Sequence, residues 1–298
     1  MPVMKKLVAA DIVLGEPLPF SIFDERGNLL LRKGIAIAMP DQVDRLVTRG
    51  ALIEDTRPEA GLAGAGRPQR SSPMPAAAPT EPVFERIAGL ALNLKHIVAT
   101  ALRTPEQIDL PARIGKIART IQELCRADLD SMLAAPYLDY QNPYIIVHQL
   151  MGAVLTEVVA ERKGVDVEQR VSMICGALTR DWGQLSLQGE LDSLTGPLSD
   201  GLKQRVRAHP TRGIEMLEQA GVTDACWLES IRAHHERLDG SGYPNQLKGD
   251  QIPLGGRVLA IADVFSAMGK PRPYRNRVLG PQNALREIYL KVGSEMDE

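Results

Sequence analysis

Hydrophobic and polar residues follow two different rhythms along this chain. Over the first 55 residues the apolar stretches are short: Lys6–Leu14, Phe20–Phe23 and Leu29–Leu31, separated by Gly15-Glu16-Pro17 and by the polar turn Asp24-Glu25-Arg26-Gly27-Asn28. Short apolar runs between Gly, Pro and Asp clusters predict strands. A helix over Pro40–Arg49, opened by its proline and closed by Gly50, and a last strand over Ala51–Glu54 complete this region. From Thr56 to Pro82 the chain is rich in Ala, Gly, Pro and Ser, with too little to bury to offset its ordering entropy, and predicts a disordered linker. Beyond it apolar residues recur every three or four positions, which predicts long amphipathic helices over Phe84–Thr100 and Ala112–Met132. Further helices are expected at Pro143–Arg162, Glu168–Leu185, Leu202–Ala220, Thr223–Arg237 and Leu254–Met268. The expected class is mainly α: a small β-rich domain over residues 1–55, a linker over 56–82, and an all-α domain over 83–298.

Composition narrows the function classes. A length of 298 residues allows one large core and a smaller companion, and a net charge of −2 gives no reason to expect nucleic acid or an anionic membrane as partner. Cys125, Cys175 and Cys226 are far apart and odd in number, as reduced thiols of a cytoplasmic protein would be. The N-terminal residues lack the apolar run of a signal peptide, and no stretch is expected to reach the roughly 18 apolar residues of a membrane span. With four phenylalanines and two tryptophans the core is expected to be aliphatic.

The chemistry is concentrated between Ala233 and Met268. His234, His235 and Glu236 are followed by the Gly-rich turn Asp239-Gly240-Ser241-Gly242-Tyr243-Pro244 and by Asp263 in a helical Ile-Ala-Asp-Val-Phe-Ser-Ala-Met stretch. Histidine with carboxylate suits a hard-to-borderline metal, and open positions on such a metal suit phosphoester hydrolysis. Upstream lie His148 in a predicted helix, Arg180-Asp181-Trp182-Gly183-Gln184, and His209-Pro210. The fifth histidine, His96, is expected to be structural.

In order and spacing, Tyr144 to Arg275 resembles the HD-GYP family, metal-dependent phosphodiesterases that open cyclic di-GMP. The resemblance implies an all-α HD-type domain and an N-terminal β-rich segment of the kind that precedes many such domains. It implies two metals, iron or manganese, that share the aspartate of a His-Asp pair. On that template one site would use His148, residue 180, Asp181 and Asp263, and the other Asp181, His209, His234 and His235. The family reads His-Asp-Ile-Gly-Lys where this chain has Arg180 to Gln184, so the first site has lost a ligand and one strong metal site at most is expected. A guanidinium stays protonated and offers only donors, so Arg180 cannot ligate a cation. It either pairs with Asp181 and Asp263, the favoured arrangement, or swings away and leaves a water to complete a weaker site. Gln184 removes the family's lysine charge. Tyr144 stands where some members place a glutamate for a third metal, and Ser266 replaces a second aspartate.

The same resemblance implies that Arg272 and Arg275 contact the cyclic dinucleotide. It implies too that Gly242, Tyr243 and Pro244 form a loop that meets diguanylate-cyclase (GGDEF) domains, with Tyr243 exposed as an anchor. The helices over Phe84–Met132 offer a face for homodimerisation. The family domain usually runs on for a further helix or more, so this one is expected to be short or cut at its C-terminus. Three function classes follow. The favoured one is a module that binds cyclic di-GMP or a GGDEF partner with little or no turnover. The second is a working phosphodiesterase with Asp181 and His148 in the reaction, and the third is a helical scaffold without ligand.

Overall fold

The structure, a computed structural model, describes residues 4–8, 11–12, 18–25, 27, 29–35, 37, 46–48, 50–54, 82–104, 108–139, 141–194, 196–269 and 278–297. It divides into two compact units, residues 1–96 and 97–298, with the boundary inside the first long helix.

The first unit carries β1 (Met4–Lys6), β2 (Ile22–Phe23), β3 (Leu29–Leu31) and β4 (Leu52–Glu54) in one antiparallel sheet of order β1-β4-β2-β3. Its core is Leu7, Ile12, Leu18, Ile22, Ile37, Ala51 and Ile53, all aliphatic. The strand expected over Lys6–Leu14 ends early. Asp11 accepts the Val8 amide at 3.0 Å and pairs with Lys5 at 2.9 Å, which turns the chain where the apolar run had suggested extension. Of the helix expected over Pro40–Arg49, Leu46–Thr48 is helical and the rest lies outside the described residues, as does nearly all of the expected linker.

The helices are α1 (Val83–Arg103), α2 (Leu110–Ala127), α3 (Leu129–Leu138), α4 (Tyr144–Arg162), α5 (Val167–Thr179), α6 (Gln188–Asp192), α7 (Asp200–Arg207), α8 (His209–Gln219), α9 (Ala225–Ala233), α10 (Leu254–Met268) and α11 (Pro281–Tyr289). The fold class is therefore mainly α, as the periodicity predicts. Three predicted helices are interrupted. Asp128 takes an extended conformation and its carboxylate caps the Ser131 amide, so Ala112–Met132 breaks into α2 and α3. Leu202–Ala220 divides at Ala208 into α7 and α8, with Pro210 in the first turn of α8. Glu168–Leu185 stops at Thr179 and resumes as a 3₁₀ turn over Trp182–Leu187.

At the centre of the second unit α4 packs on α5, α10, α3 and α2, while α9 packs on α10, α5 and α8. Because neighbours surround it, α4 is apolar on nearly every side. This corrects the expectation about membrane spans. By length and composition Tyr144–Arg162 could cross a membrane (mean hydropathy 1.3), yet 72% of that window is buried inside the protein. Its apolarity belongs to the core.

Candidate metal centre

Five chain segments, α4 among them, converge on one site. His148 projects from the second turn of α4, Arg180 and Asp181 follow the end of α5, His209 opens α8, His234 and His235 follow α9, and Asp263 lies on α10. Gly183 makes the junction between the 3₁₀ turn and α8 feasible, since a β-carbon there would collide with the His209 carbonyl and the Gly213 amide. That close approach brings Asp181 to the histidines.

One half of the site holds His148, Asp181 and Asp263, whose ligand atoms lie within 4.8 Å of one another. Into it reaches Arg180, only 1% exposed. Its Nε donates to Asp263 Oδ1 at 3.1 Å and stands 3.5 Å from Asp181 Oδ2. Nη1 donates to the Ala177 carbonyl at 2.5 Å and Nη2 to the His148 carbonyl at 3.2 Å. Of the two arrangements left open by sequence, the carboxylate-paired one is present. A β-carbon at Gly152 would lie 2.5 Å from Nη1, so α4 leaves a gap for the guanidinium. His148 Nε2 is 2.9 Å from Asp263 Oδ1, and its Nδ1 meets Ser266 Oγ at 3.0 Å. Gln184 donates to Asp181 Oδ1 at 2.6 Å, whereas Asp181 Oδ2 is buried with no hydrogen-bond donor.

The other half is a cluster of His209, His234 and His235. His209 Nδ1 donates to the Val206 carbonyl at 2.7 Å and His234 Nδ1 to the Ile231 carbonyl at 2.6 Å. These bonds leave lone pairs on both Nε2 atoms, which face each other at 3.2 Å. Ligands bound at about 2.1 Å stand roughly 3.0–3.4 Å apart across a right or tetrahedral angle, so the spacing fits two ligands of one cation. Burial lowers the pKa of His234 to about 4, with the His209 charge adding to the effect, and holds His235 well below its ordinary range. Burial, then Arg180, lowers that of His148. Burial alone would raise Asp181, but Arg180 and His148 reverse it; for Asp263 the hydrogen bond from His148 and the charge of Arg180 do the same. At neutral pH the centre thus combines neutral imidazoles at His148, His234 and His235 with two carboxylates and the Arg180 guanidinium.

A cavity of about 170 Å³ opens onto His148, Asp181, Gln184, His209, His235 and Asp263. Tyr144 stacks on His148 with centroids 5.1 Å apart. Arg272 and Arg275 lie outside the described residues. Tyr243 is not the exposed ring expected of it: it is half-buried and stacked on His235 at 4.6 Å, because its amide donates to the His235 carbonyl and folds the loop back. Gly242 is buried against the Glu236 backbone, and Pro244 is exposed. Sequence reasoning gave no role to Gly152 and Glu236, and it read Ser266 as a loss where the structure shows a bridge between His148 and the Asp263 carbonyl. A glutamate directly after two histidines was the available signal for Glu236.

Helices that bring histidines and aspartates together in this way define an HD domain, and residues 132–298 match the HD domain family. More narrowly, the chain belongs to the HD-GYP family. It is 35% identical over 146 residues to the 3'3'-cGAMP-specific phosphodiesterase 1 of Vibrio cholerae serotype O1, covering 49% of this chain and 33% of that protein. It is 36% identical over 141 residues to the cyclic di-GMP phosphodiesterase response regulator RpfG of Xanthomonas campestris pv. campestris, covering 47% and 37%. The chain thus spans about a third of the length of these curated relatives. Among solved structures, Bd1817, a HDG"Y"P protein from Bdellovibrio bacteriovorus, shares the fold with a TM-score of 0.60 at 12% identity, covering 99% of this chain and 96% of that one.

Proposed function

We propose that this chain is a cyclic-dinucleotide module of the HD-GYP type that holds one divalent metal and turns its ligand over slowly or not at all. The observation that carries the reading is Arg180. Its guanidinium sits among Asp181, Asp263 and the His148 carbonyl, where a second cation would meet a fixed positive charge. The remaining donors suit a single ion: the facing lone pairs of His209 and His234, the neighbouring His235, and Asp181 Oδ2, which accepts no hydrogen bond although Arg180 Nε lies 3.5 Å away. Iron or manganese is the metal that the family resemblance implies, and the mixed imidazole and carboxylate set is compatible with either. Such an ion, when bound, polarises a phosphoryl oxygen and acidifies a water.

The protein's own residues divide the remaining work. His209 and His234 keep Nε2 free for ligation through their backbone hydrogen bonds. Arg180 keeps Asp181 and Asp263 ionised, while Gln184 orients Asp181. The cavity, smaller than the several hundred Å³ of a whole small-molecule site, takes one phosphodiester linkage. The rest of the ligand lies across the mouth; Arg272 and Arg275 are the ligand contacts that the family resemblance proposes. Cyclic di-GMP is the proposed ligand and 3'3'-cGAMP its competitor, from the relatives' own substrates. Pro244 and Asn245, on the exposed edge of the Gly-Tyr-Pro loop, are the proposed contact for a GGDEF partner.

Binding and turnover of both dinucleotides, by wild type beside Arg180→His with iron or manganese supplied, test the reading. Stoichiometric binding without turnover, together with activity gained by the histidine variant, supports it. A factor of about 10³ in rate corresponds to about 4 kcal/mol, a plausible scale for half of a two-metal clamp. Metal-dependent hydrolysis by wild type at a rate equal to the variant's defeats it and establishes a working phosphodiesterase.

A further inference from the structure

Each imidazole of the centre needs something to fix its ring, because ligand orientation depends on the partner of the other nitrogen. His148 has Ser266, His209 has the Val206 carbonyl and His234 has the Ile231 carbonyl. Among the described residues, no hydrogen bond holds the ring of His235. Its ring neighbours are His234, tilted at 4.1 Å, His209, edge-on at 5.0 Å, and Tyr243, stacked at 4.6 Å with an interplanar angle of 27°; of the three, Tyr243 alone is not itself a candidate ligand. The guanidinium carbon of Arg207 lies over that same tyrosine ring at 5.1 Å.

The tyrosine is in turn held by the loop around it. Its amide donates to the His235 carbonyl at 3.1 Å. Glu236, 2% exposed, accepts the Asn245 amide at 2.7 Å through Oε1 and the Leu247 amide at 3.0 Å through Oε2. Gly242 passes so close to the Glu236 backbone that any side chain there would collide with it. The residue after the histidine pair thus clamps both amides on the far side of the tyrosine, and the histidine and its stacking partner form one closed unit.

We infer that Tyr243, clamped by Glu236, is the positioning residue of His235, and that a flat ring here takes the place of the hydrogen bond its neighbours have. This rests on the metal reading above. It predicts that the ring face matters and the phenolic hydroxyl does not. Full-length protein is titrated with cobalt(II) alone, reading affinity by chelator competition and ligand geometry by the visible d–d bands, with folding followed by circular dichroism. Tyr243→Phe is expected to keep both affinity and spectrum. Tyr243→Ala is expected to bind about 10–100-fold more weakly with shifted bands, the usual effect of removing a ligand's support. Tyr243→Leu fills the space without a flat face; it is expected to behave like the alanine variant and serves in its place if that variant does not fold. An unchanged affinity and spectrum in the leucine variant, or a phenylalanine variant as weak as leucine, overturns the inference alone. Wild type that takes up no cobalt overturns the metal reading and the inference with it.

Discussion

Arg180 and Gly152 are fitted to each other: a β-carbon at position 152 would stand 2.5 Å from Nη1 of the arginine. The residue replacing a ligand is therefore seated in a gap that a neighbouring helix leaves open, with two backbone carbonyls and two carboxylates around it.

Gly152→Ala should push the guanidinium out of this seat. Overpacking of this kind costs about 1–3 kcal/mol, and a chemical-denaturation midpoint measures it. Gly89 and Gly115, where a β-carbon meets nothing within 4 Å, are the matched controls and should gain stability when changed to Ala.

Removing the arginine without replacement leaves Asp181 and Asp263 buried and uncompensated. In metal-free protein Arg180→Ala should cost about 3–5 kcal/mol, and manganese should recover a larger share of that loss than it adds to wild type. Metal analysis of Arg180→His should show more than one ion per chain, against at most one for wild type.

The buried imidazoles give metal-free protein a defined pH response. His234 titrates near pH 4 when folded and near 6.5 when unfolded, so between these values the unfolded chain binds the extra proton. Stability is complete above about pH 6.5 and declines as the pH falls toward 4. At pH 5 this histidine alone accounts for a loss on the order of 2 kcal/mol, with His235 and His148 acting in the same direction. Denaturation midpoints at pH 7 and pH 5 check this, and saturating metal should flatten the difference.

A second buried charge pair lies away from the centre. Arg170 Nε donates to Glu157 Oε2 at 3.2 Å, and Gln122 donates to the same oxygen, joining α5, α4 and α2. Glu157→Ala should destabilise the protein by about 3–5 kcal/mol, whereas Glu157→Ala with Arg170→Met should recover much of it. Thermal unfolding of the single and double variants distinguishes the two.

Much of this was legible in the chain. The histidines and aspartates could be placed because each stands in a short string whose order is distinctive, and because 3.6-residue periodicity locates it on a helix. Helix breaks were less visible. Apolar spacing continues through Asp128 and through Ala208, so only the capping aspartate and Pro210 mark where the axis changes. Gly152 was illegible for a different reason: nothing in a linear sequence says that position 152 faces position 180. Tyr243 was read as exposed because loops usually are, but two amides held by Glu236 turn this one inward.

The helix that carries His148 has a consequence for how the chain is made. Tyr144–Arg162 leaves the ribosome as a 19-residue apolar segment whose cover includes α10, which begins only at Leu254. At about 5–20 residues per second, roughly 5–20 s pass before that cover exists. During this interval the nascent chain displays a stretch that passes for a membrane span, and a chaperone or an early pairing of α4 with α5 must shield it.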